Sequence, residues 1–459
     1  MSETAIAAGV PATRRQRMHA TLVASGTDRA TCLAAVVALP VAVVALAFGP
    51  NVRSLHQIPA VAAVWFVALW SSYGQPRLAG RGTTVIAGTG TLTGLVMLSL
   101  LLFWLPGFRL SATELLLMAG AVFATASIVG AHTYRLASRR RLLLVGADEG
   151  INGLLRELAQ HSDLPFDVLG VIADQSAESI GGARRLGEVR ELQAVLREEQ
   201  PDLVVLGGGP SRTEALAQVL EIGSSIDVRV MDVHHLYEHA FGKVPVQHLS
   251  PAWFMSVLHL YRRPYSRIAK RTFDVVVASI ALLFLAPVLL VVAALVRASS
   301  PGPALFRQLR LGEGGRIFSI CKFRTMVVGA EAQGGAVWAA VDDARVTALG
   351  RVLRRTRIDE LPQLWNVLRG DMSIVGPRPE RPEFLELLRQ TVPFWTRRHL
   401  VKPGITGWAQ VCHGYTADAM ATADKLAYDL YYLKYRSLVF DIAIAVRTVG
   451  IILTGFGSR

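Results

Sequence analysis

The stretch Arg267-Ile268-Ala269-Lys270-Arg271-Thr272-Phe273-Asp274 opens an apolar run from Phe273 to Val296, which ends at Arg297 and the rigid Ser300-Pro301-Gly302-Pro303. A membrane span needs about 20 mainly apolar residues, and this run is long enough. Pro287 lies in its middle, where proline removes a helix hydrogen bond and bends the axis. Basic residues flank it on both sides: Arg262, Arg263, Arg267, Lys270 and Arg271 before, Arg297 after. A run broken in its middle and basic at both ends can dip into a bilayer and return to the same face. A plain fifth span, with the rest of the chain on the opposite side, is the competing reading.

Four apolar stretches lie upstream: Thr31 to Gly49, Ile58 to Tyr73, Thr83 to Leu105 and Leu115 to Ala131. The 459 residues are 52% hydrophobic and 18% charged, against about a quarter charged in an ordinary soluble chain. That excess argues for a membrane bundle over 31–135 rather than for the buried helical core of a soluble protein. Pro40 and Pro59 are tolerable in spans when neighbouring helices cover the freed carbonyls. Residues 1–30, with Arg14, Arg15 and Arg17, read as a cytoplasmic tail before an uncleaved first span. Arg77 and Arg81 follow the second stretch, and Arg135, Arg139, Arg140 and Arg141 follow the fourth; Arg53 and Arg109 mark the other two loops. By the positive-inside rule both ends of the bundle face the cytoplasm.

From Arg141 the pattern alternates between strands and helices. Leu142 to Val145, Phe166 to Ala173, Leu203 to Leu206 and Val228 to Met231 read as strands, which makes residues 139–250 a parallel, Rossmann-like α/β domain. A dinucleotide fingerprint would need glycines where Asp148 and Ile151 stand, so a tight turn is expected without a bound cofactor. His234, His235 and His239 have no evident ligand partner and read as loop. Cys32, Cys321 and Cys412 are too few and too scattered for a disulfide framework or a cysteine zinc site. No P-loop, H-E-x-x-H or G-x-S-x-G motif occurs, which removes three common enzyme classes.

Downstream, Phe306 to Tyr415 is dense in Arg, Gly, Pro and carboxylates. In Thr356-Arg357-Ile358-Asp359-Glu360-Leu361-Pro362-Gln363-Leu364-Trp365-Asn366-Val367-Leu368, the residues Leu361, Leu364, Trp365 and Leu368 form one apolar helical stripe. Pro362 suits a first turn, so Asp359 and Glu360 fall at or beside a helix N-terminus. Free N–H groups and the helix dipole there favour an ionised carboxylate, the form a nucleophile or metal ligand requires. A plain helix cap at Asp359 is the competing reading. Arg351, Arg354, Arg355 and Arg357 precede the pair, and Gly370-Asp371-Met372-Ser373-Ile374-Val375-Gly376 follows it. Then Pro377-Arg378-Pro379 holds one arginine between two residues of fixed φ, which suits forked recognition of phosphate oxygens. A solvated basic face accounts for the four earlier arginines better than for Arg378.

These motifs, in this order, resemble the bacterial sugar transferase family. The resemblance is carried by Lys270-Arg271 with Asp274 before the Pro287 run, Ser300-Pro301-Gly302-Pro303, Lys322-Phe323-Arg324-Thr325-Met326, Asp359-Glu360-Leu361-Pro362-Gln363-Leu364, Gly376-Pro377-Arg378-Pro379 and Lys402-Pro403-Gly404-Ile405-Thr406-Gly407-Trp408. Members are polyprenyl-phosphate sugar-1-phosphate transferases, also called monotopic phosphoglycosyl transferases. The upstream spans and Rossmann-like domain resemble the long subtype, typified by undecaprenyl-phosphate galactose or glucose phosphotransferases. The resemblance implies an α-rich catalytic domain over 266–459 with a re-entrant membrane helix at 273–296, facing the cytoplasm of a bacterial inner membrane. It makes Asp359 the nucleophile, Glu360 a catalytic partner and Mg²⁺ ligand, and Arg378 a phosphate or nucleotide contact, with Lys322, Arg324 and Arg357 as further candidates. The implied substrates are a UDP-sugar and undecaprenyl phosphate, for the first membrane step of exopolysaccharide, capsule or O-antigen-type glycan synthesis. A homodimer and downstream glycosyltransferases are the implied protein partners.

The balance of 48 Lys+Arg against 35 Asp+Glu, a formal +13, calls for an anionic partner. Because the basic residues gather beside membrane segments and around Asp359, two phosphate substrates suit it better than nucleic acid. Phe394, Trp395, Arg397, Arg398, His399 and Lys402 mix aromatics and cations as headgroup-level segments do, or as ordinary surface packing does. Leu438 to Leu453, which includes Asp441 and Arg447, reads as a helix at the interface or on the catalytic domain. A transporter would carry ionisable residues inside its spans, and these are nearly absent. A membrane-anchored scaffold that senses a ligand through 139–250, or regulates polysaccharide export without transferase activity, is the alternative function.

Overall fold

The computed structural model describes Val41 and residues 58–73, 83–104, 111–136, 140–161, 164, 166–174, 179–208, 211–222, 228–246, 267–330, 343–412 and 419–454. The 1–30 tail, the first apolar stretch apart from Val41, and Arg53, Arg77, Arg81, Arg109, Arg139, Arg262 and Arg263 lie outside the described residues.

Two compact units emerge. The first contains helices Ile58–Tyr73, Thr83–Trp104 and Ala112–Leu136, packed through Val61, Trp65, Leu69, Ala87, Leu98, Met118, Val122 and Ala126. Its outward positions stay apolar, as at Leu116 and Ile128. Ala112–Val129 is long and apolar enough to cross a membrane; Pro59–Leu69 and Gly90–Ser99 are shorter apolar segments.

The second unit begins with a six-stranded sheet of order β3-β4-β2-β1-β5-β6. Its strands are β1 Arg140–Val145, β2 Phe166–Ile172, β3 Ser179–Ile180, β4 Ala183–Gly187, β5 Leu203–Leu206 and β6 Arg229–Asp232. All neighbours run parallel except β3 with β4. The unbroken apolar run of β1 follows from cover on both faces. Leu142 and Leu144 join Ile151, Leu154 and Leu236 on one side, whereas Leu143 and Val145 join Leu192, Leu196 and Ala215 on the other. The histidine segment read as loop is instead a helix, Val233–Phe241. Asp232 caps it by accepting from the His234 N–H at 2.8 Å, burial of Val233, Leu236, Ala240 and Phe241 holds it on the sheet, and Gly242 ends it at φ 65°.

The C-terminal region opens with one helix, Arg267–Ser299, which continues through Pro287 instead of breaking there as the sequence suggested, and is also long and apolar enough to cross a membrane. Its first turns are pinned. Lys270 reaches Asp441 at 2.6 Å, Arg271 donates to the carbonyls of Val367 and Leu368 at 2.6 Å each, and Asp274 accepts from Ser373 Oγ and Ile374 N. Its far half packs Val292 and Val296 against Phe323 and Leu353. Between the anchors Leu283 and Leu290 are 71% and 72% exposed, an apolar surface that water does not favour.

An antiparallel hairpin follows, β7 Leu305–Leu311 with β8 Ile317–Phe323. Later a short parallel pair forms from β9 Ser373–Val375 and β10 Gly404–Thr406. Helices Ala419–Tyr435 and Leu438–Thr454 complete the core with Trp395 and Trp408. The terminal helix is packed on this C-terminal core, with Asp441 fully buried and bonded to Lys270 and Tyr432. Trp395 and Arg398, read as headgroup-level residues, are buried at 1% and 3% exposure with the guanidinium 4.3 Å from the ring centre. They are therefore core, not surface.

Candidate active site

Asp359 and Glu360 are presented by a change of helical period. Helix Ala348–Arg355, capped by Thr347 Oγ1 accepting from Gly350 N at 2.9 Å, stops where Arg357 adopts φ 60°. A left-handed conformation is uncommon for a side-chain-bearing residue and tends to occur at functional sites. A 3₁₀ turn, Ile358–Gln363, then leads into helix Leu364–Arg369. With 3.0 rather than 3.6 residues per turn, the expected apolar stripe is rotated. Trp365 is 62% exposed, while Asn366 and Val367 are buried. Neither the turn nor the helix takes a side-chain cap, so Asp359 is not a helix cap.

Glu360 sits at the centre of a cation cluster. Its Oε1 accepts from Arg378 Nη2 at 2.6 Å and Lys322 Nζ at 3.0 Å, and its Oε2 from Arg378 Nη1 at 3.2 Å. Burial alone would raise this carboxyl; Arg378 and Lys322 outweigh it and hold the group well below the usual range. Burial also pulls Lys322 below its ordinary range, against the opposing pull of Glu360.

Asp359, one residue away, has the opposite character. Its Oδ1 is buried with no hydrogen-bond partner. Burial first, then the charge of Glu360, pushes its pKa up to about 6 despite Lys322, Arg378 and Arg354. The sequence pointed to an ionised group favoured by a helix terminus; here desolvation prevails over that field. Neighbouring carboxylates driven apart in this way mark acid–base and nucleophilic sites.

The other expected residues divide. Lys322 and Arg378 meet at Glu360. Arg357 holds the turn, its carbonyl accepting from the Glu360 N–H at 3.2 Å. Arg324 is drawn elsewhere: its guanidinium donates to the carbonyls of Ser300 and Pro301 at 2.8 Å each and to Ser300 Oγ at 3.0 Å. It ties down the end of the long helix rather than a phosphate. A cation not anticipated from the sequence joins the cluster. Arg310 shares a hairpin face with Lys322 (β7 pairs with β8, Phe306 opposite Lys322), and it interacts electrostatically with Arg378 and Glu360. Burial lowers its pKa to about 10. Strand alternation, which puts Phe306, Gln308 and Arg310 on one face, was the signal available for it.

Among the described residues no group of three or more His, Cys, Asp or Glu forms a metal cluster. Mg²⁺ does not require one, since it is commonly held by one or two carboxylates plus substrate phosphates. Of the pair, Asp359 Oδ1 is the oxygen without a hydrogen-bond partner. Glu360, the expected ligand, has both oxygens already engaged by cations. In the sheet domain the crevice between β1 and β5, where strand order reverses and ligands of such sheets bind, receives Asp148. Its Oδ1 accepts from Ile151 N at 2.9 Å, and its Oδ2 is buried beside Gly207 without a partner.

Residues 265–455 match the sequence pattern of the bacterial sugar transferases. The chain is 45% identical over 232 residues to the UDP-N-acetylgalactosamine-undecaprenyl-phosphate N-acetylgalactosaminephosphotransferase of Aeromonas hydrophila, covering 50% of this chain and 54% of that protein. It thus spans about half the length of that relative. Over 361 residues it is 33% identical to the UDP-glucose:undecaprenyl-phosphate glucose-1-phosphate transferase of Escherichia coli, covering 75% and 74% of the two chains. A Xanthomonas campestris protein of the same description is 37% identical over 67% of this chain and 66% of its own. With the pattern matched across the catalytic region and the likeness to the Escherichia coli protein reaching back into the sheet domain, the chain belongs to the bacterial sugar transferase family.

Proposed function

We propose that this protein transfers a sugar-1-phosphate from a UDP-sugar to a polyprenyl phosphate, undecaprenyl phosphate in a bacterial membrane. The observation that carries the reading is a buried carboxylate pair with Lys322 and Arg378 on Glu360, Arg310 acting on it through space, and one oxygen of Asp359 left without a donor. The names of the relatives point to the same substrates. Asp359 Oδ1 attacks the sugar-bearing phosphorus, forming an acyl–phosphate bond as the bond to UMP breaks. An oxygen of the lipid phosphate then attacks that phosphorus, and the Asp359 carboxylate leaves. The product is a lipid diphosphate sugar.

Two anionic substrates meet at an anionic residue, so neutralising charge is the main task. Arg378 is a forked donor suited to phosphate oxygens, pre-aligned by Glu360. Lys322 and Arg310 lower the cost of bringing further negative charge into the pocket. A bound Mg²⁺, held by Glu360 with Lys322 or Arg378 displaced from it and by substrate phosphates, would supply electrostatic stabilisation of the phosphoryl oxygens. Galactose, glucose and their N-acetyl relatives present the same diphosphate to these groups, so sugar choice is left to residues outside the motifs.

The membrane reading is a multi-pass bundle with a re-entrant Arg267–Ser299 helix that keeps the site on the cytoplasmic side. It draws support from the anchoring of both halves of that helix on the catalytic region. A homodimer and downstream glycosyltransferases as partners rest on the family alone. The test is UMP release by purified protein with undecaprenyl phosphate and a panel of UDP-glucose, UDP-galactose and UDP-N-acetylgalactosamine. Turnover with one of them, and its loss in Asp359→Asn, is expected. Full turnover in that variant would sink the nucleophile assignment, and unchanged turnover after thorough chelation would sink the Mg²⁺ role.

A further inference from the structure

The segment that carries Arg378 has an unusual hydrogen-bonding problem. Pro377 and Pro379 have no N–H, so the segment cannot form a regular ladder of its own. Four carbonyls in succession accept bonds from four other places. Pro377 O accepts from Gly404 N at 2.9 Å, and Glu380 O from Leu311 N at 2.9 Å. The middle two are held by side chains: Arg378 O by Arg398 Nη2 at 2.9 Å, and Pro379 O by Arg310 Nη1 at 3.1 Å.

Arg398 is itself held by an ion pair and a ring, although its Nη1 is buried without a hydrogen-bond partner. It is 3% exposed, lies 2.8 Å from Asp429, which is 1% exposed, and stacks on Trp395. A buried ion pair is a poor means of stabilising a fold, since apolar side chains of similar volume often serve as well or better. What a rigid planar cation adds here is a fixed donor direction. From this geometry we infer that Arg398, oriented by Asp429 and Trp395, is a positioning residue for Arg378, with Arg310 as a second clamp on the following carbonyl. Together they fix the backbone so that the Arg378 guanidinium is delivered to Glu360 and to the phosphate of the nucleotide sugar. The inference rests on the proposed role of Arg378.

A double-mutant cycle separates this role from simple packing. Arg398→Lys retains the charge but loses the fork and the stack. Arg378→Ala removes the guanidinium yet leaves the carbonyl that Arg398 binds. With the UDP-sugar that is turned over, Arg398→Lys should lower kcat/KM by about 10- to 100-fold, the scale of loss expected when a reacting group is misplaced by about 1 Å. In an Arg378→Ala background the same change should cost less than about twofold, since nothing remains to be positioned. The fall in Tm should be equal in both backgrounds.

Equal fold-losses of kcat/KM in the two backgrounds, or no loss from Arg398→Lys in the otherwise unaltered enzyme, overturn the proposal and leave the site reading intact. Unchanged turnover in Arg378→Ala alone overturns the site reading and the proposal with it. If Arg398→Lys does not fold, Asp429→Asn takes its place in the same cycle, with the same expected pattern and the same overturning result.

Discussion

Asp359 holds an oxygen that no donor meets, in a place from which water is largely excluded. Such a group is costly to the fold when charged and reactive for the same reason. Its folded pKa, about 6, lies above that of an unfolded aspartate. The stability linked to the group is therefore complete below about pH 4 and lost as pH rises through about 6; at pH 7.5 the penalty is on the order of 3 kcal/mol. Asp359→Asn mimics the protonated form. We expect it to abolish UMP release and yet raise Tm at pH 7.5, with the gain shrinking to nothing near pH 4; an unchanged or lower Tm at pH 7.5 would contradict the desolvation argument. The same ionisation governs the rate. kcat/KM should lose about tenfold per pH unit below about 6, and a profile flat down to pH 5 would show that Asp359 is not the group whose ionisation matters.

The helix Arg267–Ser299 fixes the turn that carries this residue through its first turns. The last carbonyls of any helix lack partners within it, and helix Leu364–Arg369 satisfies two of its own, those of Val367 and Leu368, through Arg271. Arg271→Ala should cost about 2 kcal/mol in denaturant unfolding, whereas Arg267→Ala, at an exposed position, should stay within about 0.5 kcal/mol. Equal losses would mean that the basic cluster acts only as a diffuse charge. Elements with long regular patterns were legible in the sequence: the four strands read from apolar runs appear as β1, β2, β5 and β6, and Leu438–Thr454 is the helix its apolar run implied. The 3₁₀ turn at Asp359 was not, because Pro362 and the i, i+3 spacing fit an α-helix equally well. Arg324 looked like Lys322 two residues earlier, but its partners at Ser300 and Pro301 are set by tertiary structure, not by local pattern. Asp359 and Arg378 were legible through motif chemistry; Arg310 and Arg398 owe their roles to carbonyls far along the chain.

The sheet domain and the catalytic region share one compact unit, and the bonds between them explain why. After helix Val233–Phe241 the chain enters the catalytic core itself: Val244 is fully buried there, and its N–H donates to Ala427 O at 3.1 Å. Trp408, in the motif next to the Arg378 segment, donates its indole N–H to Gly242 O at 2.7 Å. Glu238, 1% exposed, accepts from Lys434 at 2.8 and 2.6 Å and from Tyr435 OH at 2.6 Å, while Lys243 lies 2.6 Å from Glu157 and 3.4 Å from Asp424. These contacts are too buried and too polar to separate without leaving unpaired charge. Removing one partner of such a pair typically costs about 3–5 kcal/mol. Glu238→Ala should accordingly weaken both halves at once. Hydrogen exchange would check this: protection of β1 (Leu142 to Val145) and of Leu426 to Leu433 should fall together, as expected when two regions unfold as one cooperative unit. Loss confined to the second segment would mean that the sheet domain is an independent module resting against the enzyme, and that its helix Val233–Phe241 merely touches the catalytic region without supporting it.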